Sequence, residues 1–257
     1  RDGYPSALSD AGLPEHRLDG LDDETAAALL DAAAPDLPVA ARNRVLREAG
    51  GNPLALLELP AVAADPGLPL TDRLERAFAG RVSDLPEATR LVLLVAALND
   101  DDAASEIHQA AAVVAGTPLD LDAAEPAVEA ALIDLDVNSI RFRHPLARSA
   151  IRQSAGVQQR RRVHEALAAT LEADPDRRVW HRAALMSGTH EELARELEEA
   201  GDRARRRGAI DVAVTALQRA ADLSAPSQRV RRMFATAALA YDRGRPAGPV
   251  CRRARVD

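Results

Sequence analysis

The sequence contains no lysine and a single cysteine, Cys251, so all 33 basic residues are arginine. A chain with one cysteine cannot form an internal disulfide bond. A chain without lysine cannot contain the phosphate-binding loop of P-loop ATPases, because a lysine of that loop contacts the phosphates. These absences exclude a disulfide-stabilised domain and a self-sufficient P-loop enzyme.

Aromatic residues are also scarce: they make up 2% of the chain, while hydrophobic residues make up 47%. A core of this composition must be built from leucine, valine and alanine, which favours packed helices over an aromatic-rich sandwich. No run approaches the roughly 20 apolar residues of a membrane-spanning helix, and Arg1 does not open a secretory signal. We therefore expect an all-α, cytoplasmic protein without membrane contact. Its start at arginine rather than methionine suggests a piece of a longer protein.

Charge is divided unevenly along the chain. Residues 1–140 hold 9 arginines and 26 acidic residues, a balance of −17, whereas residues 141–257 hold 24 arginines and 14 acidic residues, a balance of +10. A basic half can bind nucleic acid, but here the arginines alternate with acids, as in Glu191 to Glu196. A solvated helix surface, or an interface with the acidic half, explains this pattern better. We expect no direct nucleic-acid binding.

Apolar residues recur with helical spacing along most of the chain. The spacing predicts, among others, helices over about 23–33 and 121–132, and the glycine and prolines between Val62 and Leu70 mark a linker. The period changes to two at Ile140 to Phe142, behind a polar turn, which predicts a hairpin near residues 133–142. Several helices followed by a small hairpin are typical of a winged helix.

After the hairpin the pattern is helical almost to the end of the chain. The pair Arg207-Gly208 recurs as Arg243-Gly244, 36 residues later. This interval is close to the ~34 residues of a tetratricopeptide repeat, so we expect TPR-like helical repeats. Residues 245–257 have no periodicity and are expected to be disordered or a translated artefact.

Pro53 follows Gly51 and Asn52 at the first position of a predicted helix. Because proline has no N–H to donate, a flat ligand could lie against its ring there. The same residues are also needed simply to end one helix and begin the next. Spacing alone leaves both interpretations open.

His144 lies between the predicted hairpin and the next predicted helix. Its imidazole could meet a phosphate or a carboxylate at this helix start, where the helix dipole favours anions. It could also be a capping or packing histidine. The residues alone leave both interpretations open.

The other residues that could carry chemistry form no known constellation. His164, His181 and His190 fall on separate predicted helices without a spacing such as His-x-x-x-His, and the chain has no Gly-x-Ser-x-Gly. We therefore predict no catalytic residue and no metal site.

Six groups of short strings are informative because of their order. They are Arg1-Asp2-Gly3, Gly12 to Pro14 with Leu18 to Leu21, Gly51 to Pro60, Leu85-Pro86 with Thr89 to Leu91, Phe142 to Leu146, and Trp180 to Arg182. With them the chain resembles, over about residues 1–243, the middle of the large ATP-binding regulators of the LuxR type found in actinobacteria. These are STAND-type AAA ATPases related to the maltose-regulon activator.

The resemblance implies a fold and a mode of action. In such regulators ATP or ADP binds between a P-loop core, a helical lid and a winged helix, and a helical-repeat sensor and a LuxR-type DNA-binding domain follow. The core and the DNA-binding domain would be this chain's missing partners, and a small-molecule or protein inducer would bind the repeats. Since the winged helix is a regulatory module there, its fold is no argument for DNA binding. The chain alone should neither hydrolyse ATP nor bind nucleotide tightly.

The resemblance also assigns three nucleotide-contacting residues. Arg1 resembles the arginine that closes the fourth strand of the core and senses the γ-phosphate. Pro53 resembles the lid proline that packs on the adenine. His144 resembles the winged-helix histidine that reaches the β-phosphate in the ADP-bound resting state.

The expected order of parts is the end of the ATPase core with its linker, a lid, a winged helix, TPR-like repeats and a tail, at residues 1–20, 21–66, 71–156, 157–244 and 245–257. The function expected from this order is the sensing and autoinhibitory middle of an ATP/ADP-switched transcriptional regulator. The alternative is a free-standing helical-repeat adaptor that binds proteins and no nucleotide.

Overall fold

A computed structural model of the protein describes residues 20–62 and 70–243. Within these ranges it has 13 α-helices and one two-stranded sheet. The predicted all-α fold with one small hairpin is therefore confirmed. Arg1, most of the predicted linker and the predicted tail 245–257 lie outside the described residues. No helix in the described part has the length and apolar character needed to cross a membrane.

The chain forms two compact units, which divide between Gly80 and Arg81. The narrower domain limits expected from the sequence remain predictions. The first unit contains three helices and most of a fourth: α1 (Asp23–Ala33), α2 (Val39–Ala49), α3 (Pro53–Glu58) and α4 (Leu70–Ser83). Its core side chains are fully buried leucines and a valine, namely Leu30, Val45, Leu56 and Leu59.

The second unit begins with helices and the hairpin. These elements are α5 (Glu87–Leu98), α6 (Ala104–Ala115), α7 (Glu125–Glu129), β1 (Ile133–Asp136), β2 (Ser139–Phe142) and α8 (Pro145–Ser154). The strands pair antiparallel, with Leu135 opposite Ile140. Ile140 also donates its N–H to the carbonyl of Asp102 at 2.8 Å, which attaches the hairpin to the loop before α6. This is the predicted order of helices, then hairpin, then helix.

One predicted helix is shorter than expected. The spacing predicted a helix from about 121 to 132, but the structure has a 3-10 turn at Leu121–Ala124 and then α7, which ends at Glu129. Two features favour this break. Pro126 cannot donate a helical hydrogen bond to the preceding turn. Ala131 has a left-handed φ of 54°, which ends the helical path before β1.

Five helices complete the second unit: α9 (Val157–Thr170), α10 (Pro175–Leu185), α11 (Glu191–Arg206), α12 (Ile210–Asp222) and α13 (Pro226–Arg243). Each packs against the next. Between α11 and α12 the backbones come close, because Gly201 has no side chain; a Cβ there would lie 3.2 Å from that of Ala216. The turn before α12 contains Gly208, whose φ of 81° is the left-handed conformation that glycine adopts readily.

Candidate functional site

Pro53 is the first residue of α3, and local structure explains its position. α2 ends at Gly50, with a left-handed φ of 53°, and Gly51 follows with a φ of 76°. The Asn52 side chain then caps α3 by accepting a hydrogen bond from the N–H of Ala55 at 3.2 Å. Proline suits the first helical position because no N–H is needed there. Pro53 is exposed, and its contact with a nucleotide stays a prediction.

His144 caps the N-terminus of α8. Its Nδ1 accepts a hydrogen bond from the backbone N–H of Leu146 at 3.1 Å, so the neutral ring carries its proton on Nε2. Partial burial lowers the pKa of His144 below its usual value, which favours the neutral form. His144 is thus a helix cap through Nδ1, and its contact with a phosphate stays a prediction. Arg1, the third predicted contact, is outside the described residues.

His164 of α9 and His181 of α10 form a pair that the sequence did not predict. Their Nδ1 atoms are 3.0 Å apart, and the ring centroids are 5.3 Å apart. A hydrogen bond at this distance requires one Nδ1 to donate and the other to accept, so the two neutral rings have opposite tautomers. His181 is buried, while His164 is partly buried.

The environment of this pair favours neutral rings. Burial, with a smaller contribution from the neighbouring His164, lowers the pKa of His181 to about 4. Burial also lowers the pKa of His164, and the positive charge of Arg152 adds to this effect. Two charged rings would set two N–H donors against each other at 3.0 Å. Both histidines are therefore neutral near pH 7.

A polar network joins α10 to α6 and to the end of α5 beside this pair. Arg177 of α10 donates to both oxygens of Glu106 on α6, at 3.0 Å and 2.7 Å, and to Oδ1 of the fully buried Asn99 at 2.9 Å. The hydrogen bonds from Arg177 hold the pKa of Glu106 below its usual value. Arg177 of the basic half thus pairs with Glu106 of the acidic half. This is the kind of contact expected if the two halves form an interface.

A small groove lies between helices α10 and α12. Its volume is about 310 Å³, and Trp180, Thr215, Gln218 and Arg219 are among the residues that line it. Trp180 is partly buried and packs against the core between α10, α11 and α12. It is the single tryptophan of the chain. The groove therefore combines an aromatic surface with hydrogen-bonding side chains on helices α10 and α12.

Within residues 20–62 and 70–243, no group of three or more His, Cys, Asp or Glu residues lies close enough together to hold a metal ion. The sequence did place His164 and His181 on separate helices, but it did not indicate that these helices pack side by side. Helical spacing places both residues on the buried faces of α9 and α10. This was the one feature of the sequence that could have indicated the pair.

No protein-family model matches the chain, and no curated protein matches it. Among solved structures, the chain is similar to a Signal Transduction ATPase with Numerous Domains (STAND) protein with a tetratricopeptide repeat sensor from Pyrococcus horikoshii. The two are 14% identical, with a TM-score of 0.45, over 88% of this chain and 33% of that one. The chain thus spans about a third of the length of that protein.

Proposed function

We propose that this chain is the regulatory middle region of an ATP/ADP-switched transcriptional regulator of the LuxR type. In this role the first unit supplies a helical lid, the hairpin-containing part supplies a winged helix, and helices α9 to α13 supply a sensor. The ordered strings from Gly51 to Arg182 support the proposal, as does the agreement between the expected and observed order of elements.

The observation that carries the proposal is the position of His144. It caps α8 directly after the hairpin, at a helix N-terminus, where backbone N–H groups and the helix dipole favour a phosphate. Because Nδ1 accepts from Leu146, the ring's proton is on Nε2, the nitrogen that would donate to a β-phosphate oxygen. Pro53, exposed at the start of α3, would offer its ring to the adenine.

In this proposal the chain senses and restrains, and it catalyses nothing by itself. Phosphoryl transfer depends on positioned charges and a metal ion, and the P-loop lysine cannot come from this lysine-free sequence. An ATPase core and a LuxR-type DNA-binding domain would be its partners in the complete cytoplasmic protein. An inducer, either a small molecule or a protein, would bind the repeats.

One observation favours the alternative, a helical-repeat adaptor that binds proteins only. Trp180 and Arg219 both line the groove between α10 and α12, and tryptophan and arginine are enriched where proteins bind one another. The same groove also serves the first proposal as an inducer site. The two functions therefore differ in nucleotide binding and not in the repeats.

Nucleotide content of the complete protein distinguishes them. The protein would be purified without added nucleotide, denatured, and the released nucleotide quantified by chromatography. A switched regulator isolated in its resting state releases about one ADP per chain. A protein that releases no nucleotide, and binds none when ADP is added, is an adaptor.

A further inference from the structure

A cleft lined by several basic side chains lies between α8 and α9 in the second unit. Its volume is about 550 Å³. Six polar side chains line it, four from α8 and two from α9: Arg148, Ser149, Arg152, Gln153, Arg160 and His164. No Asp or Glu is among the described residues that line it. We call it the basic cleft, because three guanidinium groups and an imidazole surround one space.

The three arginines of the basic cleft have no carboxylate partners in the described part of the chain. Arg148 donates to the carbonyls of Ala97, at 3.0 Å, and of Asn99. Arg160 donates to the carbonyl of Ala155 at 2.6 Å. These bonds hold two guanidinium groups in place without neutralising them, and each group has further N–H donors.

Several other arginines of this unit are neutralised by carboxylates. Arg177, Arg203 and Arg232 each form an ion pair with a carboxylate, at 2.7, 2.6 and 2.6 Å. Arg152 is exposed, and its guanidinium makes no hydrogen bond or ion pair with any described residue. The basic cleft thus concentrates positive charge that the fold leaves uncompensated.

A hydrogen bond within α8 adds a directed donor. Gln153 donates from Nε2 to Oγ of Ser149 at 3.1 Å. Since Oγ accepts this bond, the hydroxyl proton of Ser149 is available to a further acceptor. Both residues line the cleft, so the hydroxyl can bind an oxygen of a ligand there.

His164 connects the basic cleft to the histidine pair. Burial lowers the pKa of its ring, the charges of Arg152 and Arg160 add to this effect, and Asp100 acts in the opposite direction. His181 contacts the ring from α10. An anion between the arginines would offset their charge at His164 and make its protonation easier. The ring would then add a charged donor to the same anion.

We propose that the basic cleft binds a phosphorylated small molecule through its phosphate oxygens. Guanidinium groups match phosphate in charge and in the geometry of paired hydrogen bonds. The volume of about 550 Å³ is of the order of known small-molecule sites. The site goes beyond the proposed nucleotide switch and does not depend on it, because neither Pro53 nor His144 lines the basic cleft.

Calorimetric titration of the full chain with pyrophosphate at low ionic strength tests this site. We expect saturable binding of one pyrophosphate per chain, and weaker binding of orthophosphate, which offers fewer oxygens. Arg152→Gln removes a guanidinium that makes no hydrogen bond or ion pair with the described residues, so the fold is retained while affinity falls about tenfold. Arg206→Gln, on the exposed surface of α11, is the matched control and leaves affinity unchanged.

NMR titration of the His164 ring supplies a readout independent of heat, and bound pyrophosphate should raise the pKa of His164. The proposal is overturned if no saturable binding occurs, if Arg152→Gln and Arg206→Gln bind equally, or if bound pyrophosphate leaves the pKa of His164 unchanged.

Discussion

Arg232 of α13, with a side chain only 3% exposed, donates from Nε to a carboxylate oxygen of Glu198 on α11 at 2.9 Å. Its Nη1 also donates to Glu191 at 2.6 Å. One buried guanidinium thus joins α13 to two positions on α11. Because a buried charge is costly without partners, these bonds are what make the burial of Arg232 tolerable.

Arg232→Gln is expected to destabilise the second unit, whereas Arg231→Gln is not. The first change removes buried, charge-assisted hydrogen bonds and should lower the free energy of unfolding by about 2–3 kcal/mol. Arg231 also binds Glu198, but its side chain is 56% exposed, so its loss should cost less than about 1 kcal/mol. Urea unfolding followed by Trp180 fluorescence measures both, and equal losses would contradict this role for Arg232.

The pair Arg177 and Glu106 is expected to stabilise the packing of α10 on α6. A double-mutant cycle with Arg177→Met and Glu106→Gln should give a coupling energy of about 1–3 kcal/mol. The folded-state pKa of Glu106 is lowered, so its contribution is complete above the unfolded pKa and is lost as pH falls through the folded pKa. Additive effects of the two variants would show that the pair is not coupled.

Acid is expected to destabilise the second unit through His181. Its pKa is about 4 when folded, against an ordinary value of 6.5, so the unfolded chain binds more protons between these pH values. The free energy of unfolding should therefore fall by up to about 3 kcal/mol as pH drops from 6.5 to 4. His181→Gln should flatten this dependence. Parallel pH curves for both proteins would exclude a neutral, buried His181.

Two adjacent glycines before α3 provide a matched pair of substitutions. At Gly51 a Cβ would lie 2.5 Å from the carbonyl oxygen of Leu21, whereas at Gly50 it would meet nothing within 4 Å. Both have positive φ, so Gly50→Ala should cost about 1 kcal/mol of strain and Gly51→Ala at least about 3 kcal/mol. Hydrogen exchange across α3 measures this. Equal protection in both variants would show that the backbone shifts to relieve the clash.

Local signals made much of the fold predictable. The limits of α1 followed from its spacing, and the Asp22 side chain caps it by accepting from the N–H of Thr25 at 2.8 Å. The hairpin followed from the period of two at Ile140 and Phe142, because only an extended strand alternates in this way. The break at Ala131 was missed because its left-handed φ belongs to an ordinary residue that carries no turn signal.

The polar sites could not be predicted because they join residues that are far apart in the sequence. His164 and His181 are 17 residues apart, and Arg177 and Glu106 are 71 apart. Neither separation produces a periodic pattern in the sequence, because each contact depends on which helices pack side by side. The assignment of Pro53 and His144 to nucleotide contacts came from the resemblance and stays a prediction. Local capping gives both residues structural roles that need no ligand.

Retention of ADP by the complete regulator tests the proposed role of His144 most directly. The rate of ADP release would be measured after rapid desalting for the unaltered protein, His144→Ala and His190→Ala, the last replacing a histidine at the start of α11. If His144 contacts a phosphate in the resting state, His144→Ala should release ADP at least about ten times faster. Transcription without inducer should then rise. His190→Ala should behave as the unaltered protein does. Unchanged ADP release in His144→Ala would contradict the proposal and leave His144 as a helix cap.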